Sequence, residues 1–160
     1  MAKLPVTPSQ TVGPFYSIGL CRRPDDELVP PDDPSAIGLT GRLLDGEGAP
    51  IDGTIEVWDG EHWGRSGTDA EGTFRFSIRK PPPRDGGAPR LDVHVFARGL
   101  LKHQLTRVYF PDEADANAAD PVLSALPEAD RAVLVAEQED GALRFDVRMQ
   151  GDDATVFFAV

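Results

Sequence analysis

Alternation of apolar and polar residues dominates the middle of the chain. Successive side chains of a strand point to opposite faces, so this period predicts strands with one buried face. The pattern is clearest in TIEVW (54–58), TFRFSIR (73–79), RLDVHVFAR (90–98) and LRFDVRM (143–149). Weaker strand predictions fall at IGLTGRLL (37–44), LTRVYF (105–110), LVAEQ (134–138) and TVFFAV (155–160).

Turn residues separate these segments, and few helices are predicted. The stretch KPPPRDGGAP (80–89) is predicted to be a surface loop, because proline cannot donate to a strand ladder. Two segments that begin with proline, 111–120 and 127–134, predict one or two short helices. The predicted fold class is therefore all-β: an antiparallel β-sandwich of about eight strands with an irregular N-terminal arm.

The arm is predicted to comprise residues 1–36 and to lie outside the sandwich domain, which is predicted to comprise residues 37–160. Neither a helical nor a strand period is present in TPSQTVGPFY (7–16), which ends on two adjacent aromatic residues, Phe15 and Tyr16. A tail that is surrounded by water gains nothing from two aromatic rings, since such side chains stabilise a protein mainly by burial. The arm is therefore expected to pack against another surface.

Composition limits the class of protein. A chain of 160 residues that is 40% hydrophobic suits one globular domain. Its net charge of −11 argues against nucleic acid and anionic lipid as partners, because both would be repelled. Neither a membrane-spanning segment nor a secretory signal is predicted. The single cysteine, Cys21, excludes an internal disulfide and favours a reducing, cytoplasmic location.

Candidate chemistry inside the domain is sparse. His94 and His103, together with Asp92, are one candidate metal site. Two solvated histidines are the favoured interpretation, because no third strong ligand follows at a fixed spacing. Arg98 ends a predicted strand, where its planar guanidinium suits a carboxylate ligand. Composition alone favours a solvated arginine at that position.

The chain resembles the intradiol ring-cleaving dioxygenases along its whole length. The resemblance rests on TPSQTVGPFY, GRLLDGEGAPIDGTIEVWD, GRSGTDAEGTFRFSIRKP, VFARGLLKHQLTRVYFPDEADANAADPVL and LRFDVRMQGDDATVFF. The arm and the FARG–TRVYF region are specific to the α-type chain of the members that have two kinds of subunit. The resemblance implies an α subunit paired with a homologous, iron-binding β subunit in a symmetric hetero-oligomer. The implied reaction cleaves 3,4-dihydroxybenzoate with O2 at a non-haem Fe(III), giving 3-carboxy-cis,cis-muconate.

The same resemblance implies that this chain holds no iron and no catalytic residue. In the family two tyrosines and two histidines bind the metal, and the His-x-His pair falls here on Arg90 and Asp92. Arginine stays protonated and cannot act as a ligand. Tyr16 and Tyr109, the two tyrosines of the chain, match neither tyrosine ligand position. The Fe(III) is therefore expected on the β subunit.

The resemblance further implies that the arm crosses to the partner and lines its pocket. The residues of this chain implied to bind substrate are Thr11, Gly13, Pro14, Phe15, Tyr16 and Arg98. Phe15 stands where some α-type chains have tyrosine, and Tyr16 is an alternative source of that hydroxyl. Arg98 matches an arginine near the pocket mouth. It shares strand parity with Arg90 and Asp92, so all three are expected to point toward one region.

Two other classes stay open at this point. A stand-alone intradiol dioxygenase would need iron ligands that the chain lacks at the matching positions. A non-enzymatic β-sandwich binding module that self-associates would use the arm as a domain-swapped brace. The arm motif counts against the second class, since a brace does not require that sequence.

Overall fold

The computed structural model describes residues 4–159 and confirms the all-β prediction. Residues 1–3 of the predicted arm and Val160, the last residue of the predicted strand 155–160, lie outside the described residues. The strands of residues 4–159 are β1 (Ile37–Leu44), β2 (Gly53–Trp58), β3 (Trp63–Gly67), β4 (Thr73–Ile78), β5 (Arg90–Ala97), β6 (Gln104–Tyr109), β7 (Glu137–Glu139), β8 (Ala142–Arg144) and β9 (Val147–Arg148). One sheet has the order β4-β1-β8-β7, with β9 also on β1, and the other has the order β3-β2-β5-β6.

The core lies between the two sheets and follows from the alternation. In β5, Leu91, Val93 and Val95 are fully buried and pack with apolar residues of β1, β2 and β4. The residues that alternate with them, among them Arg90 and Asp92, therefore lie on the outer face of this sheet. Those two positions are the ones that the resemblance assigns to the missing histidines.

The predicted strand 143–149 is corrected by the structure, which divides it into β8 and β9. Both pair with β1 in the parallel direction, whereas β1 and β4 are antiparallel. The interruption lies at Phe145, whose carbonyl oxygen would be 1.8 Å from a β carbon at Gly41. The neighbouring Asp146 carboxylate accepts a hydrogen bond from Arg42 N at 3.0 Å. Phe145 N still donates to Thr40 O at 2.9 Å, but for Arg42 N a side-chain acceptor replaces a backbone acceptor, which a strand period cannot reveal.

Two other strand predictions are corrected, and one strand was not predicted. Residues 155–160 were predicted as a strand, but up to residue 159 they contribute one bridge, between Phe158 and Leu105. The segment 134–138 forms a strand only from Glu137. In contrast, β3 was not predicted, because its sequence WGRSG contains two glycines and no apolar alternation.

Short helices cover the outer face beside β6. They are α2 (Ala114–Ala119) and α3 (Glu128–Ala132), with a 3-10 turn at Leu123–Ala125 between them. Both helices lie in the segments that the sequence predicted to be helical, and the loop at 80–89 is likewise confirmed. A second apolar cluster forms beneath them from Ala88, Tyr109, Leu123 and Leu134. This layer buries the first residues of β5 on their outer side.

Part of the arm lies on the sandwich, although all of it was expected to lie outside. Leu28 N donates to Ser77 O at 2.9 Å, Ser77 N donates to Asp26 O at 3.0 Å, and Leu28 packs in the main core. Towards the N-terminus, the arm carries one short helix, α1 (Tyr16–Leu20). Among residues 4–159, no helix is long and apolar enough to cross a membrane.

Candidate functional site

The N-terminal end of β5 holds a compact network of guanidinium and carboxylate groups. Arg90 is only 4% exposed. Its Nη1 donates to Arg84 O at 3.0 Å, and its Nη2 donates to Asp85 Oδ2 at 3.0 Å. Arg84 Nη2 in turn donates to Asp92 Oδ2 at 2.6 Å, and Arg107 Nε lies 3.3 Å from Asp92 Oδ1. We refer to Arg84, Asp85, Arg90, Asp92 and Arg107 as the closed end, because these groups engage one another.

A buried carboxylate locks the loop that covers the closed end. Asp120 accepts hydrogen bonds from the backbone N–H groups of Ala88, Val122 and Leu123 at 2.8 to 3.0 Å. Burial acts to raise the pKa of Asp120, but these N–H groups outweigh it and hold the pKa below its ordinary range. Only glycine fits at position 87, where a β carbon would lie 2.4 Å from Asp120 Oδ2. The 80–89 loop is thereby fixed against β5.

The closed end does not fit a ferric ion. The guanidinium groups of Arg84, Arg90 and Arg107 would repel a cation, and a protonated guanidinium has no lone pair to donate. Within residues 4–159, no three His, Cys, Asp or Glu residues are grouped so as to hold a metal. The His94 and His103 rings do approach, with centroids 5.1 Å apart. However, Asp92, their candidate third ligand, is engaged by Arg84 and Arg107.

The other end of β5 is open to solvent. Arg98 directly follows the strand, its side chain is 59% exposed, and its Nη1 lies 3.7 Å from Asp52 Oδ2. The expectation that Arg98 points toward the same region as Arg90 and Asp92 is wrong. It lies six residues beyond Asp92, which corresponds to roughly 20 Å along a strand. Strand parity predicted the face correctly for Arg90 and Asp92, but Arg98 lies outside the strand.

The arm returns to this open end through Tyr16. The Tyr16 side chain is buried, and its hydroxyl donates to Asp52 Oδ1 at 2.6 Å. Burial, and then the hydrogen bond to Asp52, raise the pKa of Tyr16 far above its ordinary value. The phenol therefore stays protonated and keeps donating to the carboxylate.

Thr11 attaches the arm at a second point. Its hydroxyl donates to Ala97 O at 3.2 Å and accepts from Gly99 N at 2.8 Å. These two backbone groups lie on either side of Arg98 in the sequence. Gly99 has a φ of +94°, a conformation that favours glycine. We refer to Thr11, Tyr16, Asp52 and Arg98 as the open end.

The other arm residues predicted to bind substrate are Gly13, Pro14 and Phe15, and they lie in the turn between Thr11 and the helix α1. Gly13 O accepts from Tyr16 N at 3.2 Å, and Pro14 and Phe15 form the turn that leads into α1. Phe15 is 74% exposed, as is Ile18 on α1. The two adjacent aromatic residues of the arm therefore point in different directions: Tyr16 packs on its own chain, and Phe15 faces outward.

An open groove of about 550 Å³ lies between the arm and the turn from β5 to β6. Its lining includes Val12 of the arm, Phe96, Leu101 and the cation Lys102. Ala97 and Leu100, close to Arg98 in sequence, also line it. This part of the molecule therefore presents cations beside an apolar surface, a combination that suits an aromatic anion.

Asp52 was not among the candidate residues from the sequence, where it was part of a turn. Gly53 pairs with Ala97 in the antiparallel ladder of β2 and β5, and Arg98 N lies 3.5 Å from Asp52 O. Once that register is known, residue 52 must lie beside residue 98. The sequence signal is therefore the position of Asp52 immediately before β2.

No protein-family model matches the chain, but it is similar to curated proteins. It is 38% identical to the protocatechuate 3,4-dioxygenase alpha chain of Burkholderia cepacia over 197 aligned positions, covering 100% of both chains. Identity with the alpha chain of the same name from Pseudomonas putida is 37%, covering 97% of this chain and 96% of the relative. The protocatechuate 3,4-dioxygenase beta chain of Burkholderia cepacia is 30% identical and covers 74% of this chain and 66% of its own.

The first alignment is longer than this chain of 160 residues, because the relative has segments without a counterpart here. A solved structure with a similar fold is the dioxygenase domain of a dioxygenase carbohydrate-binding protein fusion from Streptomyces sp. SirexAA-E. It has a TM-score of 0.59 and 18% identity, covering 91% of this chain and 99% of that one. At that identity the likeness concerns the fold, and it agrees with the two-sheet architecture described above.

Proposed function

Because the chain belongs to the family of protocatechuate 3,4-dioxygenase α chains, we propose that it completes the active site of a homologous β subunit. That subunit binds Fe(III) and cleaves 3,4-dihydroxybenzoate (protocatechuate) with O2, giving 3-carboxy-cis,cis-muconate. The observation that carries the proposal is the closed end of β5, where Arg90 and Asp92 take part in an ion-pair network. A chain with this network at the ligand positions needs a partner to supply the metal.

The contribution of this chain lies at its open end. Thr11, Gly13, Pro14 and Phe15 form a wall of the shared pocket, with Tyr16 fixed behind them. Glycine permits close approach of a ligand, and proline holds the arm extended at low entropic cost. Arg98 attracts the substrate carboxylate, which the net charge of −11 would otherwise repel.

The partner is a β chain related to this one, in a symmetric hetero-oligomer. The similarity of the Burkholderia cepacia beta chain supports a common ancestry of the two kinds of subunit. The exposed apolar residues Phe15 and Ile18 support an interface on the arm, since such residues gain from burial. Nucleic acid and membranes are not partners, and the assembly works in the cytoplasm, where Cys21 stays reduced.

Co-expression with a homologous β chain tests this function. Iron content, subunit composition and O2-dependent loss of 3,4-dihydroxybenzoate are measured on the purified assembly and on each chain alone. We expect a mixed oligomer with iron and turnover, whereas this chain alone has neither and is poorly soluble. Turnover by this chain alone would contradict the proposal. So would a stable, colourless, self-associated form that does not bind the β chain.

A further inference from the structure

The Asp52 carboxylate at the open end interacts with two side chains, those of Tyr16 and Arg98. Asp52 Oδ1 accepts from the Tyr16 hydroxyl at 2.6 Å, and Asp52 Oδ2 lies 3.7 Å from Arg98 Nη1. The first contact is a short hydrogen bond to a charged acceptor, and the second is an attraction between exposed charges. Asp52 therefore links a residue of the arm to a residue at the end of β5, two parts of the chain that do not follow each other in sequence.

We propose that Asp52 is a positioning and specificity-determining residue, which fixes the arm through Tyr16 and offsets part of the Arg98 charge. The inference rests on the proposed function, because it assigns Arg98 to the substrate carboxylate. The backbone geometry makes the double role possible: Gly53 pairs with Ala97, which places residue 52 next to residue 98. Asp52 itself need not touch the substrate.

The two roles predict different responses to substitution. In Asp52→Asn, the amide oxygen still accepts from Tyr16, but the negative charge beside Arg98 is gone. Arg98 then attracts an anionic ligand more strongly. A unit charge several ångströms away in a water-like medium changes such binding by about threefold. In Asp52→Ala, the acceptor for Tyr16 is lost as well, so the arm loses one of its two attachments and keeps the one at Thr11.

The measurements use the full assembly with the β chain. The KM for 3,4-dihydroxybenzoate is compared with the inhibition constant of catechol, which lacks the carboxylate. Hydrogen exchange of residues 11–16 reports the position of the arm. The matched control is Glu139→Gln, which removes a carboxylate of similar exposure, 3.5 Å from Arg144, in the other sheet.

In Asp52→Asn, we expect the KM for 3,4-dihydroxybenzoate to fall about threefold while kcat and the catechol constant stay unchanged. Exchange of residues 11–16 should also stay unchanged in this variant. In Asp52→Ala, that exchange should accelerate by about tenfold, the loss of one charge-assisted hydrogen bond. Glu139→Gln should alter none of these values. A purely structural role for Asp52 would not lower the KM of the charged ligand alone.

Equal changes for the two ligands in Asp52→Asn would overturn the inference, and so would unchanged exchange in Asp52→Ala. Failure of the proposed function is distinguishable, because it appears in the wild-type assembly as absent turnover. Hydrogen exchange of residues 11–16 in that inactive assembly then tests whether Asp52 positions the arm. Faster exchange in Asp52→Ala supports its positioning role, and unchanged exchange rejects it.

Discussion

The two ends of β5 carry similar residues in opposite arrangements. At the closed end, Arg90 is buried and bonded to Arg84 O and Asp85. At the open end, Arg98 is more than half exposed and 3.7 Å from its acidic neighbour, Asp52. Both ends place an arginine near carboxylates. Only the second leaves its guanidinium accessible to a ligand from outside the chain.

The difference separates structural from recognition roles for the same residue type. Burial makes the closed-end contacts costly to break, because a charged group left without its partner keeps its desolvation penalty. Exposure makes the open-end ion pair weak, so that a ligand carboxylate can compete for Arg98 at little cost. The closed end thus stabilises the strand that presents the open end.

The largest expected effect comes from breaking the closed end. Arg90→Ala removes a buried guanidinium that donates to Arg84 O and Asp85 and lies 3.8 Å from Asp92, and it leaves a cavity in place of the buried side chain. From the lost side-chain packing and hydrogen bonds, we expect a loss of about 3 kcal/mol in the free energy of unfolding, or about 6–12 °C in the thermal midpoint of this chain within the assembly. Differential scanning calorimetry measures that midpoint. Arg148→Ala is the control and should shift the midpoint far less, because the Arg148 side chain, which pairs with Asp153, is much more exposed than that of Arg90. Equal shifts would contradict the proposed difference between the two ends.

A smaller effect is expected from removing the arm up to residue 16. This deletion removes both attachments, at Thr11 and Tyr16, and opens the shared pocket to water. Loss of the buried Tyr16 ring and its hydrogen bond amounts to about 2 kcal/mol. We expect weaker association with the β chain and lower activity, while the assembly keeps its iron. Gel filtration, metal analysis and turnover are compared with the full chain. Full activity after the deletion would limit the arm to a structural role.

The alternation of apolar and polar residues predicted the β-sandwich but not every strand within it. The alternation of β4 and β5 identified residues that are buried in the core, because one face of each strand needs apolar side chains. It missed β3, whose glycines pair with β2 through the backbone alone. It also joined β8 and β9, because side-chain burial alternates through Phe145 while the ladder does not.

The candidate site was predictable only in part, for a related reason. Thr11, Tyr16 and Arg98 were predicted from the resemblance. The structure brings Tyr16 and Arg98 to Asp52, and it attaches Thr11 to the backbone on either side of Arg98. That carboxylate depends on the register between β2 and β5, which is a long-range property of the fold. The assignment of these residues to substrate binding stays a prediction.

The two tyrosines provide a more selective test of the arm. Tyr16→Phe removes one hydroxyl from the open end, and Tyr109→Phe removes one from beside Asp120, 3.3 Å away. We expect Tyr16→Phe to accelerate exchange of residues 11–16, corresponding to about 1.5 kcal/mol. Tyr109→Phe should leave that segment unchanged. Similar exchange in the two variants would mean that the Tyr16 hydroxyl does not hold the arm.

The smallest expected effect is a change in the pH dependence of stability, and it concerns Asp120. Its pKa is lower in the folded chain than in the unfolded one, so its stabilising contribution is fully present above about pH 4. The contribution is lost as the pH falls through the folded pKa. Asp120→Asn should therefore lower stability at pH 7 and weaken the dependence of stability on pH below about 4. Thermal midpoints from pH 7 to pH 3 measure this. If the thermal midpoints of the wild type and of Asp120→Asn ran parallel from pH 7 to pH 3, the Asp120 carboxylate would not be the source of this pH dependence.

The most direct test of the account is the response of the assembly to Arg98→Ala with charged and uncharged ligands. A contact between Arg98 and the substrate carboxylate is worth about 1–3 kcal/mol. The KM for 3,4-dihydroxybenzoate should then rise by about five- to a hundredfold, and less so at high ionic strength. The inhibition constant of catechol should change much less. Arg75→Ala is the control, since Arg75 is equally exposed and lies 3.8 Å from Asp69. Equal losses for both ligands would contradict the account, because Arg98 would then support the interface and not the carboxylate.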